Sequence, residues 1–120
     1  MSNIVPKISV EYVEEIVIVA LLEEKILDQI QIQALHDSIF PVIDQHERIN
    51  LVLDFSNVKF LSSSVLGLLI RISKKVYETA GQLCLCCIDK KIDEIFKITR
   101  LDQVFTIMPD RESAIASFSE

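Results

Sequence analysis

The sequence contains little glycine and little proline. Its 120 residues include two Gly and three Pro, too few and too scattered for a flexible linker between domains. Two glycines also leave little material for a turn that wraps around a phosphate. Half of the residues are apolar, which is enough for one substantial core. We therefore expect a single domain over residues 1–120, with its core at about 7–118.

Long apolar runs are also absent. The longest, residues 16–22 and 65–70, fall far short of a membrane span, and no basic segment followed by an apolar one opens the chain. These features predict a soluble, cytoplasmic protein without membrane insertion. The chain has 18 acidic and 12 basic residues, and its net charge of −6 repels polyanions. Nucleic acid is therefore not expected as a partner.

The cysteines do not predict a disulfide framework or a metal site. Cys84, Cys86 and Cys87 are odd in number and closely spaced, and no second group of Cys or His has zinc-ligand spacing. On an extended strand, Cys84 and Cys86 would face one side and Cys87 the other. That arrangement suits a buried strand better than three ligands around one ion. We expect neither a metal nor a cofactor.

Signals for catalysis are weak. His36 and His46 lie on one predicted helix, with the carboxylates of Asp37, Asp44 and Glu47 nearby in the sequence. The serine-rich segment, however, lacks the G-x-S-x-G pattern of a nucleophilic serine, and no G-x-x-x-x-G-K phosphate loop is present. A binding protein is therefore favoured over an enzyme.

Short apolar strands alternate with amphipathic helices along the chain. The order ββαβαβαβα predicts a single-domain α/β fold with a mixed sheet of four to five strands, the first of them at an edge. Asp28 is the predicted N-cap of the first helix, and Pro41 is expected to kink or interrupt that helix. Strands are predicted at residues 7–12, 16–22, 50–55, 82–88 and 104–107, and helices at residues 28–46, 64–79, 90–98 and 110–118.

Three consecutive serines are the strongest functional signal. Ser62, Ser63 and Ser64 follow the buried strand at 50–55 and stand where a helix begins. The first N–H groups of a helix have no partner within it, and the helix dipole favours an anion there. Capping by one hydroxyl is the simpler explanation, but it accounts for one serine and not for three. The spacing thus points to a site for a phosphate switch.

The segment LVLDFSNVKFLSSSVLGLLIRISKKV resembles the STAS domains of bacterial anti-sigma-factor antagonists and of sulfate-transporter tails. Weaker similarity extends over GQLCLCCIDKKIDEIFKITRLDQVFTI and the acidic helix near Asp110. The resemblance implies a STAS-like fold and a regulatory binding role. It also implies that Ser63 is phosphorylated by a partner serine kinase that doubles as an anti-sigma factor, with a phosphatase acting on the same site.

The serine loop departs from the family pattern at two positions. The family commonly has Asp-Ser-Ser-Gly-Leu-Gly, whereas this chain has Ser62 in place of the Asp and Val65 in place of the first Gly. Loss of the carboxylate removes a charge that could orient the acceptor hydroxyl, and it also removes repulsion against a phosphate on Ser63. The alternative is a STAS scaffold subunit of a signalling or transporter assembly that is not phosphorylated.

The helix after the serines offers a predicted docking stripe. At 100° per residue, Leu66, Leu69, Ser73 and Val76 form its core side. Exposed glycine and leucine on the other side have no evident role in folding, so they are assigned to partner binding; the alternative is that another helix covers the leucine. The predicted partner-binding residues are Ser62, Ser63, Ser64, Gly67, Leu68 and Arg71.

Overall fold

The computed structural model describes residues 7–118 of the chain. No helix in this range is both long enough and apolar enough to cross a bilayer. The strands are β1 (Ile8–Val13), β2 (Ile16–Leu21), β3 (Lys25–Ile26), β4 (Asn50–Asp54), β5 (Phe60–Leu61), β6 (Gln82–Cys86) and β7 (Thr106–Met108). The helices are α1 (Gln29–Asp44), α2 (Ser63–Glu78), α3 (Lys90–Ile98) and α4 (Arg111–Ala116), and a 3-10 turn at Leu101–Gln103 precedes β7.

The main sheet has five strands in the order β1-β2-β4-β6-β7. β1 runs antiparallel to β2, and all other neighbouring pairs are parallel. The predicted mixed sheet and the edge position of the first strand are therefore confirmed. β3 and β5 pair in parallel outside this sheet, and they were not predicted because two residues are too few to show periodicity.

Alternation along the central strands divides the core into two layers. Odd-numbered residues of β2, β4 and β6 face the layer that contains α1, α2 and α3. Even-numbered residues face a smaller layer that α4 covers with Ala114. Because α2 connects β4 to β6, it is the middle helix of the larger layer, with α1 and α3 on its two sides.

The helix limits agree with the sequence prediction to within two residues. Asp28 caps α1: its Oδ1 accepts a hydrogen bond from the Gln31 amide at 2.8 Å, and Gln31 Oε1 accepts one from the Asp28 amide at 3.3 Å. The predicted interruption at Pro41 is wrong, because α1 continues to Asp44. Pro41 lies in the last turn, and its carbonyl still accepts a hydrogen bond from the Gln45 amide at 3.2 Å.

The tight approach of α2's end to the start of β4 depends on Gly81. A Cβ at this position would clash with Ile49 O and would lie 2.7 Å from Ile49 N. Both are backbone atoms, and Ile49 O accepts the Gln82 amide at 2.8 Å, so neither can move freely. Gly67, the second glycine of the chain, has no atom within 4 Å of the corresponding position.

We predict that Gly81→Ala lowers the free energy of unfolding by about 2–3 kcal/mol or more, because the added methyl group overpacks against backbone. Gly67→Ala is the matched control. It should raise the free energy of unfolding by up to about 1 kcal/mol, since alanine is the better helix former and space is open. Denaturant titration measures both, and equal stability of the two variants would contradict the packing assigned to Gly81.

Candidate functional site

Backbone hydrogen bonds fix the serine loop at the carboxyl edge of the main sheet. After β4, the amides of Lys59 and Phe60 donate to Glu24 O at 2.8 and 3.1 Å, and the Ser62 amide donates to Ile26 O at 3.0 Å. β3 and β5, which these bonds align, each lead within three residues into a helix. The N-termini of α1 and α2 therefore lie side by side, with the serines at the start of α2.

The three serines have different environments. Ser62 is the N-cap residue of α2, but its side chain makes no capping hydrogen bond, and its Oγ is buried without a partner among the described residues. Ser63 and Ser64 are the first two residues of the helix and are exposed. Capping therefore does not explain the serines: the residue at the cap position does not cap, in contrast to Asp28 on α1. The Ser63 side chain lies at the surface, beside the positive end of the helix dipole.

Leu68 is buried, and its assignment to the exposed docking stripe is wrong. Its exposed fraction is 1%, and it belongs to the same core cluster as Leu35 of α1. Lys75 lies two turns further along the same side of α2, and its Nζ is 3.0 Å from Asp44 Oδ1 at the end of α1. α1 therefore covers this side of α2. Helical angles alone predict too narrow a buried arc on α2, because they take no account of the neighbouring helix α1.

The exposed side of α2 contains Ile70 instead of Leu68. Ile70 is 39% exposed, while Ser64, Gly67 and Arg71 are exposed as predicted. We call Ser63, Ser64, Gly67, Ile70 and Arg71 the α2 surface. It combines one apolar side chain, one cation and a glycine over which a partner backbone can approach closely.

A basic and aromatic cluster lies directly before the serines. The Phe60 ring is 45% exposed, with Lys25 Nζ at 5.5 Å and Lys91 Nζ at 5.9 Å from its centroid. These distances allow cation–π attraction on both amines. We call Phe60, Lys25 and Lys91 the Phe60 cluster. Sequence reasoning missed it because the two lysines come from distant segments, and only the β3–β5 pairing and the start of α3 bring them to one ring.

A buried ion pair lies beneath the loop. Asp54, the last residue of β4, is 3% exposed. Its Oδ2 accepts a hydrogen bond from Arg111 Nε at 2.6 Å, and its Oδ1 accepts one from the Ser56 amide at 2.8 Å. Arg111 Nη1 also donates to Glu11 Oε2 on β1 at 3.2 Å. The Arg111 side chain thus joins α4 to two strands of the sheet.

These contacts determine the charge of the Asp54 carboxyl. Burial opposes its ionisation, but hydrogen bonds from the Ser56 amide and from Arg111 outweigh that effect and hold the pKa of Asp54 below its usual value. The same pair raises the pKa of Arg111. Both groups are therefore charged at neutral pH.

The two histidines make local contacts on or near α1. His36 stacks on Phe40 with ring centroids 3.9 Å apart, and its Nδ1 is 3.1 Å from Asp37 Oδ1. His46 Nδ1 lies 2.8 Å from Val42 O. Between residues 7 and 118, no hydrogen bond joins either imidazole to the serine loop. The geometry therefore gives no support to a serine–histidine nucleophile.

The chain is similar to known proteins in sequence and in fold. The family model described as STAS domain matches residues 7–114. This chain belongs to the STAS domain family. BtrV of Bordetella bronchiseptica, whose name assigns it as an anti-sigma factor antagonist, is 30% identical over 76 residues. That match covers 63% of this STAS domain chain and 65% of BtrV, slightly less than two thirds of the relative.

Solved structures agree with the STAS fold. An anti-sigma-factor antagonist (STAS) domain protein from Planctomyces limnophilus superposes with a TM-score of 0.86 at 17% identity, over 94% of this chain and 98% of that chain. The Bacillus cell fate determinant SpoIIAA in its phosphorylated form gives a TM-score of 0.66 at 18% identity, over 92% and 98%. At these identities the likeness concerns the fold.

We predict that Leu68→Ala lowers the free energy of unfolding by about 2–5 kcal/mol, because it leaves a cavity between α1 and α2. Ile70→Ala, on the exposed side of the same helix, should change it by less than about 1 kcal/mol. Thermal or denaturant unfolding of the two variants makes the comparison. If Leu68→Ala changed the free energy of unfolding only slightly, the assignment of Leu68 to an exposed docking stripe would be supported instead.

The ion pair predicts a pH-dependent stability difference. Arg111→Gln leaves a buried carboxylate without its charged donor, so the free energy of unfolding at neutral pH should fall by about 1–3 kcal/mol. The pKa of Asp54 is lower in the folded state than in the unfolded state, where it is about 3.9. The ionised carboxyl therefore stabilises the fold above a pH of about 3.9, and this stabilisation is lost as the pH falls through the folded-state pKa. The difference in the free energy of unfolding between wild type and Arg111→Gln should therefore become smaller as the pH is lowered.

The matched control is Arg71→Gln, since Arg71 is exposed on α2. It should leave stability almost unchanged at every pH. Urea titrations at neutral pH and near pH 3 measure the three proteins. A difference between wild type and Arg111→Gln that stays constant across this range would contradict the charge assigned to Asp54.

Proposed function

We propose that this STAS domain is an anti-sigma-factor antagonist-like binding module of the bacterial cytoplasm. It binds a serine kinase that also acts as an anti-sigma factor, and phosphorylation of Ser63 ends that binding. The observation that carries the proposal is the exposed Ser63 at the first position of α2, next to a surface suited to a partner. The name of BtrV supports the class of partner.

Ser63 is the serine best placed to accept a phosphate. Its side chain is exposed, whereas the Ser62 Oγ is buried. A phosphoserine adds about −1.5 to −2 charge and three acceptor oxygens, and the N-terminal end of a helix stabilises such a group. The domain should therefore tolerate the modification without unfolding, so that the switch acts on binding.

The surroundings of Ser63 favour an acidic partner segment. The α2 surface follows it with Gly67, Ile70 and Arg71, and the Phe60 cluster precedes it with two lysine amines. On a chain of net charge −6, Lys25, Lys91 and Arg71 contribute three cations to these two surfaces. A phosphate on Ser63 would offset that charge, repel an acidic segment and be poorly solvated within an interface.

Phosphorylation can be tested by intact-mass analysis after incubation with ATP and a small ATP-binding serine kinase, which should be sought first among the genes beside this one. Wild type should gain one phosphate, Ser63→Ala should gain none, and the neighbouring control Ser64→Ala should gain one. Equal modification of Ser63→Ala and wild type would place the acceptor elsewhere. If wild type binds the partner kinase but gains no phosphate during this incubation, the scaffold role is favoured. The feature that motivates this alternative is Ser62 in place of the family Asp.

Docking can be tested at Gly67. Gly67→Arg projects a long side chain from the α2 surface into open space, so the fold should persist while partner affinity falls at least about tenfold through steric exclusion. Glu78→Gln, at an exposed position at the far end of α2, changes the net charge by the same one unit and is the matched control for charge. Calorimetry with the partner kinase measures both. Unchanged affinity of Gly67→Arg would remove α2 from the interface.

A further inference from the structure

Two adjacent cysteines place their sulfur atoms on the same side of the chain. β6 ends at Cys86, and Cys87 has φ 61°, in the left-handed region. The strand therefore ends two residues before the predicted limit at residue 88, and Cys87 does not face away from Cys86. Instead, the two Sγ atoms are 3.6 Å apart. Cys87 packs against the cluster that contains Cys86, on the α4 side of the sheet.

A carboxylate completes the group. β4 and β6 pair with Asp54 opposite Cys86, so the side chains of both residues emerge at the carboxyl edge of the sheet. One carboxylate oxygen of Asp54 and the two sulfur atoms all lie within 4.8 Å of one another. Within the described residues this is the one set of three potential metal ligands that close together. Cys84, the third cysteine, is buried outside it.

The distances suit a tetrahedral thiophilic ion. With Zn–S bonds of about 2.3 Å and a tetrahedral angle, two thiolate sulfurs lie about 3.8 Å apart, close to the 3.6 Å between Cys86 and Cys87. The Asp54 oxygens already accept one hydrogen bond each, but a carboxylate has about four lone-pair directions and can also coordinate an ion. Cys87 is half-buried and offers the route from solvent, whereas Cys86 is fully buried.

Binding at this position includes the loss of two protons. Burial raises the pKa of the Cys86 and Cys87 thiols, and the nearby Asp54 carboxylate raises it further. A coordinated divalent cation reverses this balance and displaces both thiol protons. Two thiolates, one carboxylate, the Arg111 guanidinium and a divalent cation together carry no net charge, which lowers the cost of burying the group.

We propose that Asp54, Cys86 and Cys87 form a binding site for a thiophilic divalent cation of the zinc class. Binding forms two metal–sulfur bonds and one metal–oxygen bond, with water in the fourth position. The two thiol protons pass to solvent, and no atom changes its oxidation state. The site lies on the same sheet edge as the serine loop, where β4 and β6 end.

The test is titration of the reduced, metal-free full chain with cadmium, whose thiolate complexes absorb in the ultraviolet. Wild type should show a charge-transfer band that saturates at one equivalent. Cys86→Ser and Cys87→Ser should each lower the affinity at least about tenfold, because each removes a ligand. Cys84→Ser, the matched control, should keep the band and the affinity. Circular dichroism checks that the variants are folded.

Zinc-edge X-ray absorption of the loaded wild type provides the second measurement. It should show two sulfur neighbours at about 2.3 Å together with lighter oxygen neighbours. Three or more sulfur neighbours would indicate a site shared between molecules and would overturn the assignment. So would the lack of a cadmium band in wild type, an unchanged band in Cys86→Ser or Cys87→Ser, or its loss in Cys84→Ser.

Discussion

The short backbone pairing between Glu24–Ile26 and Lys59–Ser62 is the constraint on which the candidate functional site depends. These hydrogen bonds, all between 2.8 and 3.1 Å, bring the entrances of α1 and α2 together. They place Ser63 at the surface, fix Phe60 beside Lys25, and leave the Ser62 hydroxyl inward. A loop of the same sequence without this pairing would carry the same serines but would not present them on a formed surface.

Periodicity was enough to predict the main sheet and its helices, but not the short β3–β5 pair. The apolar runs of β2, β4 and β6, the amphipathic helices between them and the Asp28 cap are local signals, and each is present in the structure. Parallel crossovers then leave few ways to order the strands. The same topology predicts that a binding site lies at the carboxyl ends of the parallel strands.

Most of what sequence reasoning misassigned or missed depends on contacts distant in the sequence. Leu68 is buried because α1 lies against that side of α2, as the Lys75–Asp44 ion pair indicates. Cys87 has a local cause, because β6 ends before it and its backbone is left-handed. The Phe60 cluster draws its lysines from β3 and α3. Helical angles and the alternation of side chains along a strand describe one segment at a time, so they do not predict contacts between segments.

The serine loop and the Cys86–Cys87 pair lie at the same edge of the STAS domain, and Asp54 connects them. Its carboxylate holds Arg111 and therefore α4, accepts the amide of Ser56 at the start of the loop, and lies beside the two sulfur atoms. A change in the charge of the Asp54 carboxyl would therefore alter its contacts with α4 and with the loop at the same time. The proposed switch on Ser63 would require none of this, since Ser63 lies at the exposed end of α2.

The central claim is that a phosphate on Ser63 controls binding and leaves the fold intact. The most direct measurement is calorimetric titration of the partner kinase into the chain with serine or phosphoserine at position 63, together with the thermal midpoint of each form. The phosphorylated form should bind at least about tenfold more weakly, and the two thermal midpoints should lie within a few degrees of each other. Equal affinity of the two forms, or unfolding of the phosphorylated one, would contradict it.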